Sequence, residues 1–436
     1  MDNPEIFQHL SDCYRHQGHP QQAIAYYHRS LQYHSNHETD SASRHQQWGE
    51  WFMSLQEWHQ AIEAYERSLS LEPDNFNTLY QQASCFFQVG DSAAMVERYL
   101  RSISLHPDFP WYYYPLFWQS LKQENRVQEA IHKFKVTLSQ FPNSLNVYIN
   151  LGDALSLQNQ TQAAINSYQN GVRLMYSQTD TSTLSPIATM GQSPESASKR
   201  TINFIILGVQ KAGTSSLYAY LTQHPKILPP LRKELEFWSW KFYQGLDWYF
   251  AQFPQLESGG DYQTGEACPN YFDFPETPER LARYCPTTKF IILLRNPVDR
   301  AISHYHHWRK IHQESLPLED ALTINLKNLS PNSPYAGVPK NYLERGLYAD
   351  HLKRWFSHIP RERFLILKSE RFYEDPEATL GQVQDFLGLP RQSLAHYPKY
   401  NTGAYPPSDD KIRDMLTEFY KPYNQDLNEV LGEVFF

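Results

Sequence analysis

Apolar residues gather into short unbroken runs in the second half of the chain and into longer helical periods in the first. Ile202-Asn-Phe-Ile-Ile-Leu-Gly208 is a mostly apolar, β-branched run without alternation, which predicts a strand covered on both faces, as in a parallel sheet. Lys289-Phe-Ile-Ile-Leu-Leu294 and Arg363-Phe-Leu-Ile-Leu-Lys368 have the same character. The first two runs lead directly into helical patterns, and the second of those helices carries Pro297 at its start, where a missing N–H costs nothing. Thr264 to Tyr271 reads as a short strand followed by a turn. Tyr342 to Trp355 has helical spacing, and Asp375-Pro376 opens a helix that Gly388 closes. The stretch from Ile311 to Lys340 is polar and irregular, long enough for a lid over a substrate.

The first 180 residues repeat a pattern of small residue, aliphatic residue and, three positions later, an aromatic. The first positions are Ala23, Ala61, Ala130 and Ala164, with the larger Met95 in the third repeat, and the aromatics are Tyr27, Tyr65, Tyr99, Phe134 and Tyr168. Successive offsets are 38, 34, 35 and 34 residues, the first stretched by the polar segment His34 to Ser43, while Pro73, Pro107 and Pro142 keep the same beat. This resembles the tetratricopeptide repeat, in which paired helices pack through a small residue and an aromatic and a proline ends the second helix. The expected unit is an all-α solenoid over residues 1–178 that binds or docks a partner and carries no chemistry, with self-association through its groove as another use. The Trp111-Tyr-Tyr-Tyr114 cluster is expected to pack between repeats or to line that groove. Residues 179–200 have the Ser, Thr, Pro and Gln composition of a linker, which leaves 201–436 as a second domain.

Chemistry concentrates where the first strand turns into its helix. Gly208-x-x-Lys211-x-Gly213-Thr214-Ser215-Ser216 brings backbone N–H groups, hydroxyls and an ammonium to a helix N-terminus, an arrangement suited to phosphate. An ordinary P-loop places lysine directly after its second glycine; here Gly213 is followed by Thr214 and the lysine lies inside the loop. The variant resembles that of sulfotransferases using 3′-phosphoadenosine 5′-phosphosulfate (PAPS). Downstream, Lys233-Glu234-Leu-Glu236-Phe237-Trp238 and Gly245-Leu-Asp-Trp248-Tyr249 are similar to segments of the heparan-sulfate-type members. The resemblance implies a P-loop-like three-layer α/β domain with a central parallel sheet, following the all-α solenoid. It implies Glu234 as catalytic base, with Glu236 as fallback, and Lys211 stabilising the leaving 5′-phosphate. It further implies that Ala212, Gly213, Thr214, Ser215 and Ser216 hold that phosphate, while Arg295 and Ser303 hold the 3′-phosphate. Cys268-Pro-Asn-Tyr271 would wall the acceptor pocket. Arg300 has a plainer reading, an ion pair with Asp299 or a neighbour.

The sequence departs from the animal enzymes near its end, where a basic cofactor loop flanked by a disulfide is replaced by Asn401-Thr402-Gly403-Ala404-Tyr405-Pro406-Pro407. Gly403 and Tyr405 remain as cofactor contacts through backbone amides or stacking, and Lys399 and Lys411 stand near enough in sequence to replace the lost charge. His304, His306 and His307 are read as an exposed helix face, with no metal required by the resemblance.

Composition narrows the partners. The net charge of −8 divides as −6 over residues 1–200 and −2 over 201–436, and no basic stripe for nucleic acid appears. Cys13, Cys85, Cys268 and Cys285 lack metal or redox spacing and are expected to be buried thiols in a reducing compartment. The sequence shows no secretory signal and no apolar run of membrane-spanning length, so the expected location is the cytoplasm. The favoured expectation is sulfuryl transfer from PAPS to a hydroxyl or amine of a carbohydrate. Sulfation of a tyrosyl peptide or phenol, a P-loop kinase, and a repeat scaffold with an inactive transferase domain are the alternatives.

Overall fold

The computed structural model describes residues 4–32, 41–177, 202–256, 261–311, 313–329, 340–400 and 410–436. The chain divides into two compact units, Met1–Asn159 and Gln160–Phe436.

The first unit is helical throughout, running from Pro4–His16 and Pro20–Gln32 through seven further helices to Leu145–Leu157 among the described residues. The repeat positions explain its packing. Ala23, Ala61 and Ala130 have no exposed surface, and Tyr27, Tyr65, Tyr99 and Phe134 are buried beside them. Helices end at Leu71, Leu105 and Gln140, two residues before Pro73, Pro107 and Pro142, because a proline cannot donate the N–H that would extend the ladder. One contact is close enough to require glycine: a Cβ on Gly49 would lie 2.4 Å from the ring of buried Tyr65. Trp111 and Tyr114 pack between repeats, Trp111 stacking on Phe117 at 4.5 Å and Tyr114 meeting Tyr80 at 5.4 Å, whereas Tyr113 is exposed.

The helix Thr161–Ser177, which continues the repeat beat, belongs to the second compact unit. Its Tyr168 meets Trp248 edge-on at 5.5 Å, and its Tyr176 hydroxyl donates to the Pro229 carbonyl at 2.5 Å. The aromatic that packs against a neighbouring repeat elsewhere here packs on Trp248 of the second unit.

The second unit is built on a parallel sheet of four strands among the described residues: β1 (Phe204–Gly208), β2 (Gly265–Ala267), β3 (Lys289–Leu294) and β4 (Phe364–Lys368). Their order is β2-β1-β3-β4. Residues Phe204 to Leu207 and Phe290 to Leu294 are wholly buried, as unbroken apolar runs demand when helices cover both faces. The pairing of β1 with β3 slips by one residue between Ile206 and Gly208, just where β1 ends and its loop begins. Pro297 opens the helix Pro297–Lys310, and Asp375 caps Pro376–Leu387 by accepting from the Ala378 N–H at 2.9 Å, with Gly388 left-handed at its end.

Two expectations need correction. The stretch from Ile311 to Lys340 is not irregular throughout, since Leu318–Asn328 is a helix. Its Ala321 and Leu322 are buried, and Leu318 and Leu326 pack on the same core with Val298, Ile302 and Leu416. An apolar stripe among many polar residues made that helix hard to see. All four cysteines are free thiols, but Cys13 is exposed rather than buried.

Candidate active site

All four strands run the same way, so their carboxyl ends meet at one edge of the sheet. From β1 the chain passes first to β2 on one side and then to β3 on the other, which opens a crevice at that edge. A cavity of ≈ 560 Å³ lies there, and each strand leads into its lining. Gln210, Lys211, Gly213, Thr214 and Ser215 follow β1, and Pro269 and Asn270 follow β2. Arg295 follows β3, with Asp299, Ser303 and His307 along the next helix, while Ser369, Glu370 and Tyr373 follow β4. Glu234, Lys399 and Tyr400 complete the wall.

The cradle is held by neighbouring side chains. Arg295 donates from Nη1 to the Lys211 carbonyl at 2.9 Å, and the Ser369 hydroxyl donates to the Ala212 carbonyl at 2.7 Å. These bonds satisfy two of the loop carbonyls. Gly213 has φ 99°, and a Cβ there would lie 2.8 Å from the Tyr373 hydroxyl, so both conformation and space require glycine. The helix Thr214–Leu221 then begins with no side-chain cap, leaving its N-terminal dipole to the cavity. Ser216 does not face the cavity: it is fully buried and its hydroxyl accepts from the Tyr400 N–H at 3.1 Å. Ala212 is likewise buried and is not part of the lining.

Three non-glycine residues of the site occupy the left-handed region: Lys211 at φ 73°, Glu234 at 61° and Glu236 at 58°. Such backbone costs on the order of 1–3 kcal/mol per residue and gathers where side chains must be aimed. Burial, followed by the charges of Arg295 and Lys310, pulls Lys211 down to about 8, with Glu234 opposing. Lys233 bridges the two sides of the cavity, its ammonium 2.5 Å from the Ser215 hydroxyl and 2.7 Å from a Glu234 carboxylate oxygen. The Glu234 N–H donates to the Ala267 carbonyl at 3.0 Å, so this loop is pinned to the end of β2.

Glu236 is not part of the lining. Asn270 donates to one of its oxygens at 2.8 Å and Ser239 to the other at 3.1 Å, and burial raises its carboxyl above the usual range. The next turn is fixed by the Phe237 N–H donating to the Tyr271 hydroxyl at 3.0 Å, and that hydroxyl donates to buried Glu266 at 3.1 Å.

The histidines differ from expectation, for none is exposed. His304 is fully buried and accepts from the Trp308 indole at 2.9 Å, while His306 is half-buried. His307 lines the cavity, pushed down to about 4 by burial and then by Lys211, so it is neutral at neutral pH. Its signal in the sequence was the four-residue step from Ser303, one turn along the same face. Among the described residues no group of three or more His, Cys, Asp or Glu is placed to hold a metal ion. Arg300 is wholly buried and donates to the Tyr342 carbonyl, whereas Asp299 pairs with Arg413 at 2.7 Å. Gly403 and Tyr405 lie outside the described residues. Ser369, Glu370 and Tyr373 reach the cavity from the short helix Ser369–Glu374 after β4, on which no functional residue was expected, and Gln210 and Asn270 reach it from segments singled out for other residues.

The family model described as a sulfotransferase domain matches residues 201–403, and one described as a tetratricopeptide repeat matches 47–77. Heparan sulfate glucosamine 3-O-sulfotransferase 6 of Homo sapiens is 32% identical over 256 residues, 53% of this chain and 72% of that protein. The human bifunctional heparan sulfate N-deacetylase/N-sulfotransferase 3 is 29% identical over 277 residues, 56% of this chain; the match takes in only 31% of that relative's length. A crystal structure of a sulfotransferase from Alicyclobacillus acidocaldarius is 29% identical, covering 54% of this chain and 97% of that one with a TM-score of 0.46. No helix among the described residues is long and apolar enough to cross a membrane.

Proposed function

The chain belongs to the sulfotransferase family, and from that premise we propose that its second unit transfers a sulfuryl group from PAPS to a hydroxyl or amine of a carbohydrate. The observation that carries this reading is the meeting of Lys211, Arg295, Ser303 and Glu234 around one cavity, two cationic groups from the ends of β1 and β3, a hydroxyl from the helix after β3 and a carboxylate from a separate loop. PAPS, when bound, supplies the sulfuryl group and a leaving phosphate. The residues present fit it: an uncapped helix N-terminus and loop carbonyls already hydrogen-bonded to Arg295 and Ser369 make a cradle for an anion, with no room at Gly213 for a side chain.

In this reading Gly213, Thr214 and Ser215 hold the 5′-phosphate, Ala212 and Ser216 contribute through the backbone, and Lys211 stabilises charge on the leaving oxygen. Arg295 and Ser303 hold the 3′-phosphate. Glu234 accepts the proton of the acceptor, and Lys233 keeps that carboxylate beside the cradle. Lys399 and Tyr400 close the nucleotide side. The carbohydrate class is supported by relatives named for heparan sulfate. The catalytic domain spans 201–436, and the repeats offer a surface for a protein partner or a second copy. Free thiols in every cysteine suit a reducing compartment such as the cytoplasm.

The test is incubation of the full chain with sulfur-labelled PAPS and a panel of glycans, tyrosyl peptides and phenols. Label on a glycan alone supports the reading; label on a peptide or phenol corrects the acceptor; stabilisation by ADP with magnesium but not by adenosine 3′,5′-bisphosphate overturns it.

A further inference from the structure

Arg345 is nearly buried and joins two loops that the sequence leaves far apart. Its Nη1 donates to Oε1 of Gln210 at 2.8 Å and to Oδ1 of Asn270 at 2.9 Å, while its Nε faces an Asp273 oxygen at 3.2 Å. A guanidinium has donors and no acceptor, so both amide oxygens must point toward it and both amide nitrogens away. The Asn270 nitrogen is used, donating to Glu236 at 2.8 Å. The Gln210 nitrogen has no protein partner among the described residues, and Gln210 lines the cavity immediately before Lys211.

We propose that Gln210 is a further contact residue, its amide N–H2 turned by Arg345 toward the sulfuryl oxygens of PAPS beside Lys211. This rests on the sulfotransferase reading. A group carrying only acceptor oxygens is what an oriented, uncharged pair of N–H donors fits, and a donor fixed in advance loses little freedom on binding. Arg345 is then a positioning residue, setting both the rotation of that amide and the spacing between the cradle and Asn270 on the facing wall.

The alternative is that Gln210 serves only as the acceptor that ties Arg345 in place. Two substitutions in the full chain separate these roles. Gln210→Glu keeps an oxygen for Arg345, now as a charge-assisted pair, but removes the donor. Gln210→Met removes both at similar size. For each variant the equilibrium affinities for PAPS and for adenosine 3′,5′-bisphosphate are measured by calorimetry, with turnover and melting midpoint alongside. The ratio of the two affinities isolates contacts to the sulfuryl group from any general effect of added charge. A contact role predicts that this ratio and turnover fall by about tenfold in both variants, with the midpoint of Gln210→Glu not lowered. A loss confined to Gln210→Met, or no loss in either, overturns the proposal while leaving the family reading intact. Failure of the unaltered chain to bind either nucleotide overturns both.

Discussion

Glu234 holds a left-handed backbone, an ion pair with Lys233 and a place on the cavity wall, three features that a plain surface glutamate does not combine. Glu234→Gln removes the basic oxygen with little change of shape. Turnover should drop by about 10²-fold or more, while calorimetry finds bisphosphate affinity nearly unchanged; near-normal turnover would take the base role away from this residue. Lys211 yields a second expectation. Its ammonium titrates near 8 in the free cavity, so affinity for the bisphosphate should weaken as pH rises through that value, because each binding event must then also take up a proton. Binding isotherms across this range should show the effect in the unaltered chain and not in Lys211→Met. At this scale the cradle was legible because its residues are contiguous. The amides of Gln210 and Asn270 and the ring of Tyr373 were not, since packing between segments distant in sequence brings them together.

Strands and their exits determine which residues can meet, and β2 shows how an inner element supports an outer one. Burial raises Glu266, on β2, to about 7, against hydrogen bonds from Tyr249 and Tyr271 that lower it. An unfolded glutamate titrates near ~4.3, so the folded state holds this proton more tightly. The stabilising contribution is complete below the unfolded value and is lost as pH rises through about 7. Melting curves of the unaltered chain and Glu266→Gln, compared from about pH 5 to pH 8, should therefore show the unaltered chain losing ground to the variant as pH rises; parallel curves would contradict this. Apolar runs announced β1, β3 and β4, and Pro297, Asp375 and Gly388 announced helix ends, because each signal is local. Leu318–Asn328 escaped notice because its burial depends on a core assembled from Val298, Ile302 and Leu416, distant in sequence.

For the whole molecule, the repeat beat runs through Tyr168, yet the compact units divide at Asn159 and Gln160. A period shows where helices recur and not which core they join; Trp248 and Pro229 decide that. A chain trimmed to 160–436 should keep bisphosphate binding and cooperative melting. One trimmed to 201–436 uncovers Trp248 and should lose on the order of 2–4 kcal/mol of stability, read as a lower melting midpoint; equal midpoints would show that the helix Thr161–Ser177 contributes nothing to that core. The most direct test of the central claim is a crystal structure of the full chain with adenosine 3′,5′-bisphosphate. The account predicts the nucleotide in the cavity at the strand ends, Lys211 and the cradle amides on its 5′-phosphate, Arg295 and Ser303 on its 3′-phosphate, and Glu234 facing the open side. A nucleotide bound elsewhere, or one whose two phosphates avoid Lys211 and Arg295, would contradict it.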